Sequence, residues 1–177
     1  MVRSVKEALS TGRSVLKKND VDEREARLLL ALSMGVSVSE LVKFDVCDEK
    51  QYSKYLNYIE RRVSGEPYAY ISGHKEFMKL EFVVTSDVLI PREDTEILVL
   101  EAIKQDKKRI LDLCTGSGCI AVSLAKYIKD STVDAVDICE KAIEVARNNA
   151  ILNGVDVNFI CSDLFENVCD KYDINMA

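Results

Sequence analysis

The chain has 177 residues, of which 47% are hydrophobic and 31% charged, and its formal net charge at pH 7 is −6. This composition is typical of a globular protein and lacks the dense basic surface by which proteins grip nucleic-acid phosphates. No apolar run approaches the roughly 20 residues that a membrane-spanning helix needs, and the first residues contain no apolar signal core.

The cysteines argue against a zinc site. None of them forms a Cys-x-x-Cys pair, and His74 is the only histidine, so the usual ligand spacing for zinc is missing. The pattern predicts reduced thiols in a cytoplasmic protein, several of them buried as small hydrophobic side chains. The six cysteines are Cys47, Cys114, Cys119, Cys139, Cys161 and Cys169.

Residues 1–64 are predicted to form a helical domain. Asp20 is a candidate N-cap for a helix that carries an apolar stripe around Leu29 and stops at Gly35. Asp48 likewise precedes a stripe of apolar and tyrosine residues at helical spacing, here taken as a helix-bundle core. A module of this size and type is expected to recognise a partner rather than to carry out chemistry.

The pattern changes at residues 65–91, which are predicted to form a β-hairpin linker. This segment is rich in aromatic and β-branched residues. We expect one strand at Tyr70–Ile71 and the other at Phe82–Val84, with the Gly-His-Lys turn and residues 76–81 between them.

From residue 92 onward, helical and strand patterns alternate. A helix starting near Glu93 is expected to carry the apolar residues Ile97, Leu98, Leu100 and Ile103. Short apolar strands alternating with amphipathic helices predict βαβ units and a parallel sheet, so the fold class is α/β. The elements that follow are predicted at Arg109–Leu113 (strand), Cys119–Ile128 (helix), Val133–Ile138 (strand), Glu140–Leu152 (helix) and Val157–Cys161 (strand).

The turn after the first of these strands is a candidate cofactor site. Gly116 and Gly118 stand between a strand and a helix, where backbone amides and the positive helix end can face a ligand. Asp137, at the end of the next strand, is placed to accept hydrogen bonds from ribose hydroxyls. Asp163 follows the third strand, where its carboxylate either meets an adenine amino group or caps a helix beginning at Leu164.

Two cofactors compete for this site. The spacing Gly116-x-Gly118-x-x-Ala121 also satisfies the dinucleotide fingerprint, so an NAD-dependent dehydrogenase is an alternative. Asp112, at the strand end, would repel a diphosphate but suits a cationic amine. S-Adenosylmethionine carries an ammonium, a sulfonium and no phosphate, and the residues therefore favour it.

Several segments together resemble the HemK-type glutamine methyltransferases that modify peptide-chain release factors. The most specific is Leu89-Ile-Pro-Arg-Glu-Asp-Thr-Glu96, similar to the family's Pro-Arg-x-Asp-Thr-Glu signature. Gly65–Gly73 and Phe77 resemble its hairpin, and Leu111–Gly118 resembles its cofactor loop. Asp137-Ile138, followed by Ala146–Ala150, resembles its ribose segment. Glu93 stands where a proline is common.

The resemblance implies that residues 92–177 are the N-terminal part, and so an incomplete first half, of a Rossmann-like S-adenosylmethionine-dependent methyltransferase domain. It implies methylation of the glutamine side-chain amide in the Gly-Gly-Gln loop of a release factor, with residues 1–64 helping to dock that protein. Pro91, Arg92 and Thr95 would lie near the mouth of the cofactor and substrate site. The implied cofactor-binding residues are Asp112, Cys114, Thr115, Gly116, Ser117, Gly118, Asp137, Ile138, Asp163 and Leu164.

One family motif is missing from the sequence. The acceptors for the amide hydrogens belong, in the family, to an Asn-Pro-Pro-Tyr segment after the fourth strand. Lys171–Ile174 resembles the start of that strand, but Asn175 is not followed by proline, so no residue is given a catalytic role. We therefore expect a truncated and inactive chain, poorly stable or self-associating because strand Arg109–Leu113 would be left as an edge.

Two further alternatives stay open at this stage. A non-catalytic binding module could keep the docking bundle and the cofactor pocket without performing chemistry. DNA adenine methyltransferases share the motif family, but their substrate would call for a basic groove, which the net charge of −6 speaks against.

Overall fold

The computed structural model describes residues 2–168 and 171–176. The chain forms two compact units, Met1–Ser72 and Gly73–Ala177. The predicted three-part division at residues 64 and 91 remains a prediction. Within the described residues, no helix combines the length and apolar character that crossing a bilayer requires.

The first unit is mainly helical, as the sequence predicts for this region. Its described elements are β1 (Arg3–Ser4), α1 (Val5–Lys18), α2 (Glu25–Met34), a 3-10 helix (Glu40–Lys43), β2 (Val46–Cys47), α3 (Glu49–Val63) and α4 (Tyr68–Ser72). Strands β1 and β2 pair antiparallel. The core packs α1, α2 and α3 together around fully buried Leu16, Leu29 and Tyr55.

Two of the three predicted helix boundary signals in this unit are confirmed. Asp48 caps α3 in a reciprocal capping box with Gln51, and Gly35 ends α2 in the left-handed conformation that glycine adopts without strain. The prediction for Asp20 is wrong. Asp20 itself has a left-handed backbone after α1, and α2 begins only at Glu25, behind an Asp22 side chain that accepts from Arg24 N.

The second unit has the predicted α/β architecture. Its described elements are β3 (His74–Phe77), β4 (Leu80–Val83), α5 (Glu93–Gln105), β5 (Arg109–Leu113), α6 (Cys119–Tyr127), β6 (Thr132–Asp137), α7 (Glu140–Asn153), β7 (Asn158–Cys161) and β8 (Ile174–Met176). The main sheet is parallel with strand order β7-β6-β5-β8, and β3 pairs with β4 as an antiparallel hairpin. The predicted alternation from β5 to β7 is confirmed with end shifts of one residue.

The hairpin is present, but its first strand is displaced from the prediction. Tyr70–Ile71 is helical and belongs to α4, and the strand begins at His74. The turn falls at Met78 and Lys79, both with positive φ, rather than at the Gly-His-Lys segment. The reason is that Ile71 packs into the helical core of the first unit, and this burial outweighs its β propensity.

The prediction that β5 is an edge strand is wrong. Ile110, Leu111 and Asp112 pair with the three residues of β8, so β5 is hydrogen-bonded on both sides. The sheet face that carries Leu111 is covered as well, because Val168 and Tyr172 pack against it. The instability was predicted from an unpaired β5 edge, and that reason no longer applies because β5 is paired on both sides.

Of the four apolar residues that the sequence pattern singles out on α5, Ile103 packs against the core and the other three are exposed. Val99 and Ala102 are the buried residues of this helix, whereas Ile97 is 64% exposed and Leu100 is 48% exposed. Small and β-branched side chains fit the close approach of α5 to the sheet core that contains Ile110. The spacing of the larger apolar residues does not identify the inner face of α5, because the helix is apolar around most of its circumference.

Candidate cofactor-binding site

The loop between β5 and α6 has an unusual backbone. Cys114, Gly116 and Gly118 all have positive φ values, of 57°, 55° and 78°. Thr115 N donates to Val136 O on the neighbouring strand, and Gly118 N donates to Thr115 O. These bonds hold the loop at the carboxyl edge of the sheet, where open α/β sheets bind ligands.

The two glycines of the loop serve different purposes. At Gly118 a Cβ atom would lie 2.9 Å from Ala146 Cβ, so glycine is required for α6 and α7 to approach each other. At Gly116 a Cβ would have only Cys114 O nearby, at 3.9 Å. Gly118 is therefore explained by helix packing, and the role of both glycines in making room for a ligand stays a prediction.

Asp112 is a buried carboxyl group beneath this loop. Its Oδ2 accepts hydrogen bonds from Thr115 Oγ1 at 2.6 Å and from Ala121 N at 3.2 Å. Its Oδ1 is buried and has no hydrogen-bond partner among the described residues. Burial, with a smaller contribution from the Asp137 charge, raises the pKa of Asp112 to about 7 despite the two hydrogen bonds. An added cation would favour the ionised form.

Asp137 joins the ends of two strands. Its Oδ2 accepts from Gly116 N at 2.9 Å, and its Oδ1 accepts from Cys139 N at 3.0 Å. Its backbone oxygen accepts from Ser162 N, which follows β7. The structure thus places Asp137, the predicted ribose-binding residue, in contact with the predicted cofactor loop at one edge of the sheet.

Asn149 supports the candidate site, and at the level of sequence it is included only as part of the Ala146–Ala150 segment, without a role of its own. It is fully buried in α7, and its Nδ2 donates to Ser117 O at 2.9 Å. The same side chain bonds both backbone groups of Val83 in β4. A polar residue on the apolar face of a helix was the available signal, because a buried amide must find partners.

The residues after β6 and β7 form an exposed rim. Ile138 is 69% exposed and Leu164 is 51% exposed, both high values for large apolar side chains. Asp163 is exposed in a turn, and no helix begins there. Its suggested role as a helix cap is wrong, because residues 164–167 form a turn and not a helix. Its adenine-binding role, and the cofactor roles of Ile138 and Leu164, remain predictions.

The segment around the Pro-Arg-x-Asp-Thr-Glu signature is placed at the start of α5. Pro91 is buried, and the exposed Arg92 pairs with Asp94 at 2.9 Å. The role of Pro91, Arg92 and Thr95 at a site mouth stays a prediction. Glu96, which ends the signature, holds the hairpin turn, because its carboxylate accepts a hydrogen bond from Met78 N in that turn.

The thiols near the loop differ from the sequence expectation. Cys114 and Cys161 are exposed, and among the five described cysteines only Cys47 is fully buried. Cys119 lies at the start of α6, where burial raises its pKa to about 12, so the thiol is protonated at neutral pH. In the part of the chain that the structure describes, no cluster of three potential metal ligands occurs. Cys169 lies outside the described residues.

Comparison with known families divides the chain much as the structure does. Residues 7–73 match the PrmC N-terminal domain, and residues 93–176 match the methyltransferase small domain. Among curated proteins, the release factor glutamine methyltransferase of Buchnera aphidicola (subsp. Acyrthosiphon pisum) is 43% identical over 92% of this chain. That of Burkholderia pseudomallei is 40% identical over 84%. The chain spans 61% and 54% of the lengths of these two relatives.

A solved structure has the same fold. The Pyrococcus abyssi tRNA (uracil-54, C5)-methyltransferase, in complex with S-adenosyl-L-homocysteine, matches 58% of this chain and 26% of its own, with a TM-score of 0.50 and 24% identity. At this identity the likeness shows the fold alone. With a PrmC N-terminal domain followed by a methyltransferase small domain, the chain belongs among the relatives of the release factor glutamine methyltransferases.

Proposed function

We propose that the protein is an S-adenosylmethionine-dependent methyltransferase that acts on the glutamine side-chain amide in the Gly-Gly-Gln loop of peptide-chain release factors. The observation that carries the cofactor assignment is Asp112, whose buried Oδ1 has no partner in the described structure. The substrate assignment rests on the similarity to relatives that carry that name. Translation termination takes place in the cytoplasm, so the proposal locates the protein there.

The residues fit this cofactor by their chemistry. Asp112 offers an unpaired carboxylate oxygen to a cationic ligand, and Asp137 offers acceptors at the end of the next strand. Ile138 and Leu164 expose apolar surface that a purine ring can cover. When bound, S-adenosylmethionine supplies a methyl group already activated on a sulfonium.

The chain's own contribution to the reaction would be positioning. The bonds from Asn149 to Ser117 and from Gly116 to Asp137 fix the loop, which limits reorganisation when the cofactor binds. Holding two reactants in line can contribute roughly 7–11 kcal/mol toward the barrier. The 177 residues contain no Asn-Pro-Pro-Tyr segment, so we assign no catalytic residue.

The structure speaks against the dehydrogenase alternative. In a dinucleotide site, free amides at the start of the helix after the glycine loop face the pyrophosphate. Here the Ala121 amide in the first turn of α6 already donates to the Asp112 carboxylate. A diphosphate would meet that carboxylate instead of a free donor.

A second candidate function is a binding module that keeps the cofactor pocket and the docking unit without catalysis. The observation that supports it is that the Gly116–Asp137 contact and the helical unit are both built from described residues and need no reacting group to bind a ligand. It differs from the first proposal only in the methyl-transfer step, so one assay separates the two.

Two assays test the proposed function in order. A thermal-shift series with S-adenosylhomocysteine and NAD tests the cofactor, because a ligand that binds the native state raises the melting temperature. A rise with NAD alone would overturn the assignment. Next, labelled S-adenosylmethionine is supplied with a release factor and with its Gln→Ala loop variant. Label on the release factor but not on its Gln→Ala variant supports glutamine methylation. Cofactor binding without transfer of the label supports the binding module.

A further inference from the structure

A groove with a cavity volume of about 490 Å³ lies on the first unit, and none of the residues proposed for the cofactor site lines it. Its walls come from α1, from α2 and from the 3-10 helix with the segment that follows it. Nothing in the cofactor chemistry uses these residues, so the groove needs its own explanation.

The groove is lined by an excess of positive charge. Lys6 and Arg13 project from α1 and Arg27 from α2, against one carboxylate, that of Asp45. Lys6, Leu9 and Arg13 are spaced three and four residues apart, which places them on one face of α1. Among the described residues neither Lys6 nor Arg13 is paired with a carboxylate. The chain as a whole has a net charge of −6, so this groove, with three cationic side chains and one carboxylate, stands out as positive. Charge complementarity favours an anionic occupant.

The start of α1 adds to this positive potential. The N-cap residue Ser4 makes no side-chain hydrogen bond to the first turn, so the first-turn amides lack a side-chain cap. Ser4, Val5 and Lys6 all line the groove. Val5 N already donates to Asp45 O and Glu7 lies in the first turn, so the helix end adds only part of its positive potential to the charge of Lys6.

Apolar side chains stand beside the charges. Val42 is 74% exposed and Phe44 is 42% exposed, and both line the groove. Leu41 forms part of the lining from within the core. An occupant that complements the groove therefore carries carboxylates together with at least one apolar side chain, which is the chemistry of an acidic peptide segment.

We infer that this groove binds an acidic peptide segment with apolar side chains, contributed by the protein substrate outside the loop that is methylated. The inference rests on the proposed function for the identity of the partner, and on the groove alone for the chemistry of the segment. It assigns the recognition task to Lys6, Arg13 and Arg27 for charge and to Val42 and Phe44 for apolar contact.

The test uses the full 177-residue chain and a fluorescein-labelled peptide, Gly-Glu-Leu-Glu-Phe-Glu-Leu-Glu-Gly, followed by fluorescence anisotropy. One control peptide replaces every Glu with Lys, and another replaces Leu and Phe with Ser. We expect the first peptide to bind and both controls to bind at least tenfold more weakly. Equal binding of the Lys peptide, or no binding of the Glu peptide, would overturn the inference.

Variants locate the site on the chain. Arg13→Glu and, separately, Lys6→Glu should weaken peptide binding at least tenfold, whereas Lys18→Glu on the same helix, outside the groove, should change it less than twofold. Circular dichroism checks that each variant is folded. Arg13 lies near buried Tyr55, so Arg13→Glu could disturb the core, and Lys6→Glu is the second variant that avoids this. Unchanged affinity in both groove variants contradicts the assignment.

Two further measurements separate this inference from the proposed function. Binding of S-adenosylhomocysteine is measured on the same samples, because its site lies in the other unit. Peptide binding without S-adenosylhomocysteine binding would remove the proposed function and leave the groove assignment standing. Displacement of the peptide by an intact release factor supports the release factor as the partner of the groove. If an excess of release factor does not displace the peptide, the assignment of this partner is overturned.

Discussion

The side-chain amide of Asn149 pairs with both backbone groups of Val83. Val83 N donates to Asn149 Oδ1 at 2.7 Å, and Asn149 Nδ2 donates to Val83 O at 2.9 Å. The second hydrogen of the same Nδ2 reaches Ser117 O. One buried amide on α7 therefore joins the β3–β4 hairpin to the loop that we assign to the cofactor.

Asn149→Ala should lower both stability and cofactor affinity. It leaves buried backbone groups at Val83 and Ser117 without partners, which we expect to cost about 2–4 kcal/mol of unfolding free energy. Urea denaturation measures this cost, and Asn148→Ala, an exposed neighbour on the same helix, is the matched control. Equal stability of the two variants would contradict the structural role of Asn149.

The two glycines of the cofactor loop should respond differently to alanine. Both variants place a side chain at positive φ, which costs about 1 kcal/mol. Gly118→Ala also drives Cβ into Ala146, and the overpacking adds about 1–3 kcal/mol. Thermal denaturation should therefore rank Gly118→Ala as the less stable variant. The reverse order would mean that α6 and α7 do not approach at Gly118.

The raised pKa of Asp112 predicts how stability depends on pH. The carboxyl loses its proton near pH 3.8 when unfolded and near pH 7 when folded. Between these values the folded state holds a proton that the unfolded state releases, so this group destabilises the fold increasingly as pH rises from about 4 to 7. Asp112→Asn should thus be stabilising by on the order of 2–4 kcal/mol at pH 8.

The gain should be largely lost near pH 4, where the folded carboxyl is protonated and the unfolded one is close to its own pKa of 3.8. Asp163→Asn, at an exposed position, is the control and should change stability little at either pH. Chemical denaturation at pH 4 and pH 8 checks both statements. A gain of equal size at the two pH values would show that ionisation of Asp112 is not its cause.

The hairpin turn should depend on Glu96. Met78 and Lys79 have positive φ without being glycine, and the turn is held at Met78 N by Glu96 and at Met78 O by the Tyr127 hydroxyl. Glu96→Ala should therefore destabilise the protein by about 1–3 kcal/mol. Glu93→Ala, at an exposed carboxylate one turn earlier, should cost less than about 0.5 kcal/mol. Denaturation curves of the two variants decide the point.

The sequence predicted the parts of this fold that depend on local periodicity. The β5–β7 alternation, the end of α2 at Gly35 and the Asp48 cap each depend on a few consecutive residues, and the structure confirms them. It also predicted that the Gly116 loop and Asp137 would meet, because the carboxyl ends of parallel strands share one edge.

The failures of prediction have non-local causes. Tyr70–Ile71 reads as a strand by composition, yet Ile71 is held in a helix by burial in the first unit. The partners of Asn149 lie 66 and 32 residues away along the chain. The inner face of α5 is set by how closely it packs on the sheet. None of these is encoded within a window of ten residues.

The most direct test of the central claim is isothermal titration calorimetry of the 177-residue chain with S-adenosylhomocysteine, on wild type and Asp137→Ala. Melting curves recorded on the same samples check that both proteins are folded. The proposed cofactor site predicts one molecule bound per chain and at least tenfold weaker binding to the folded variant. No binding to the folded wild-type chain, or equal affinity in the variant, would contradict the assignment of this sheet edge as the cofactor site.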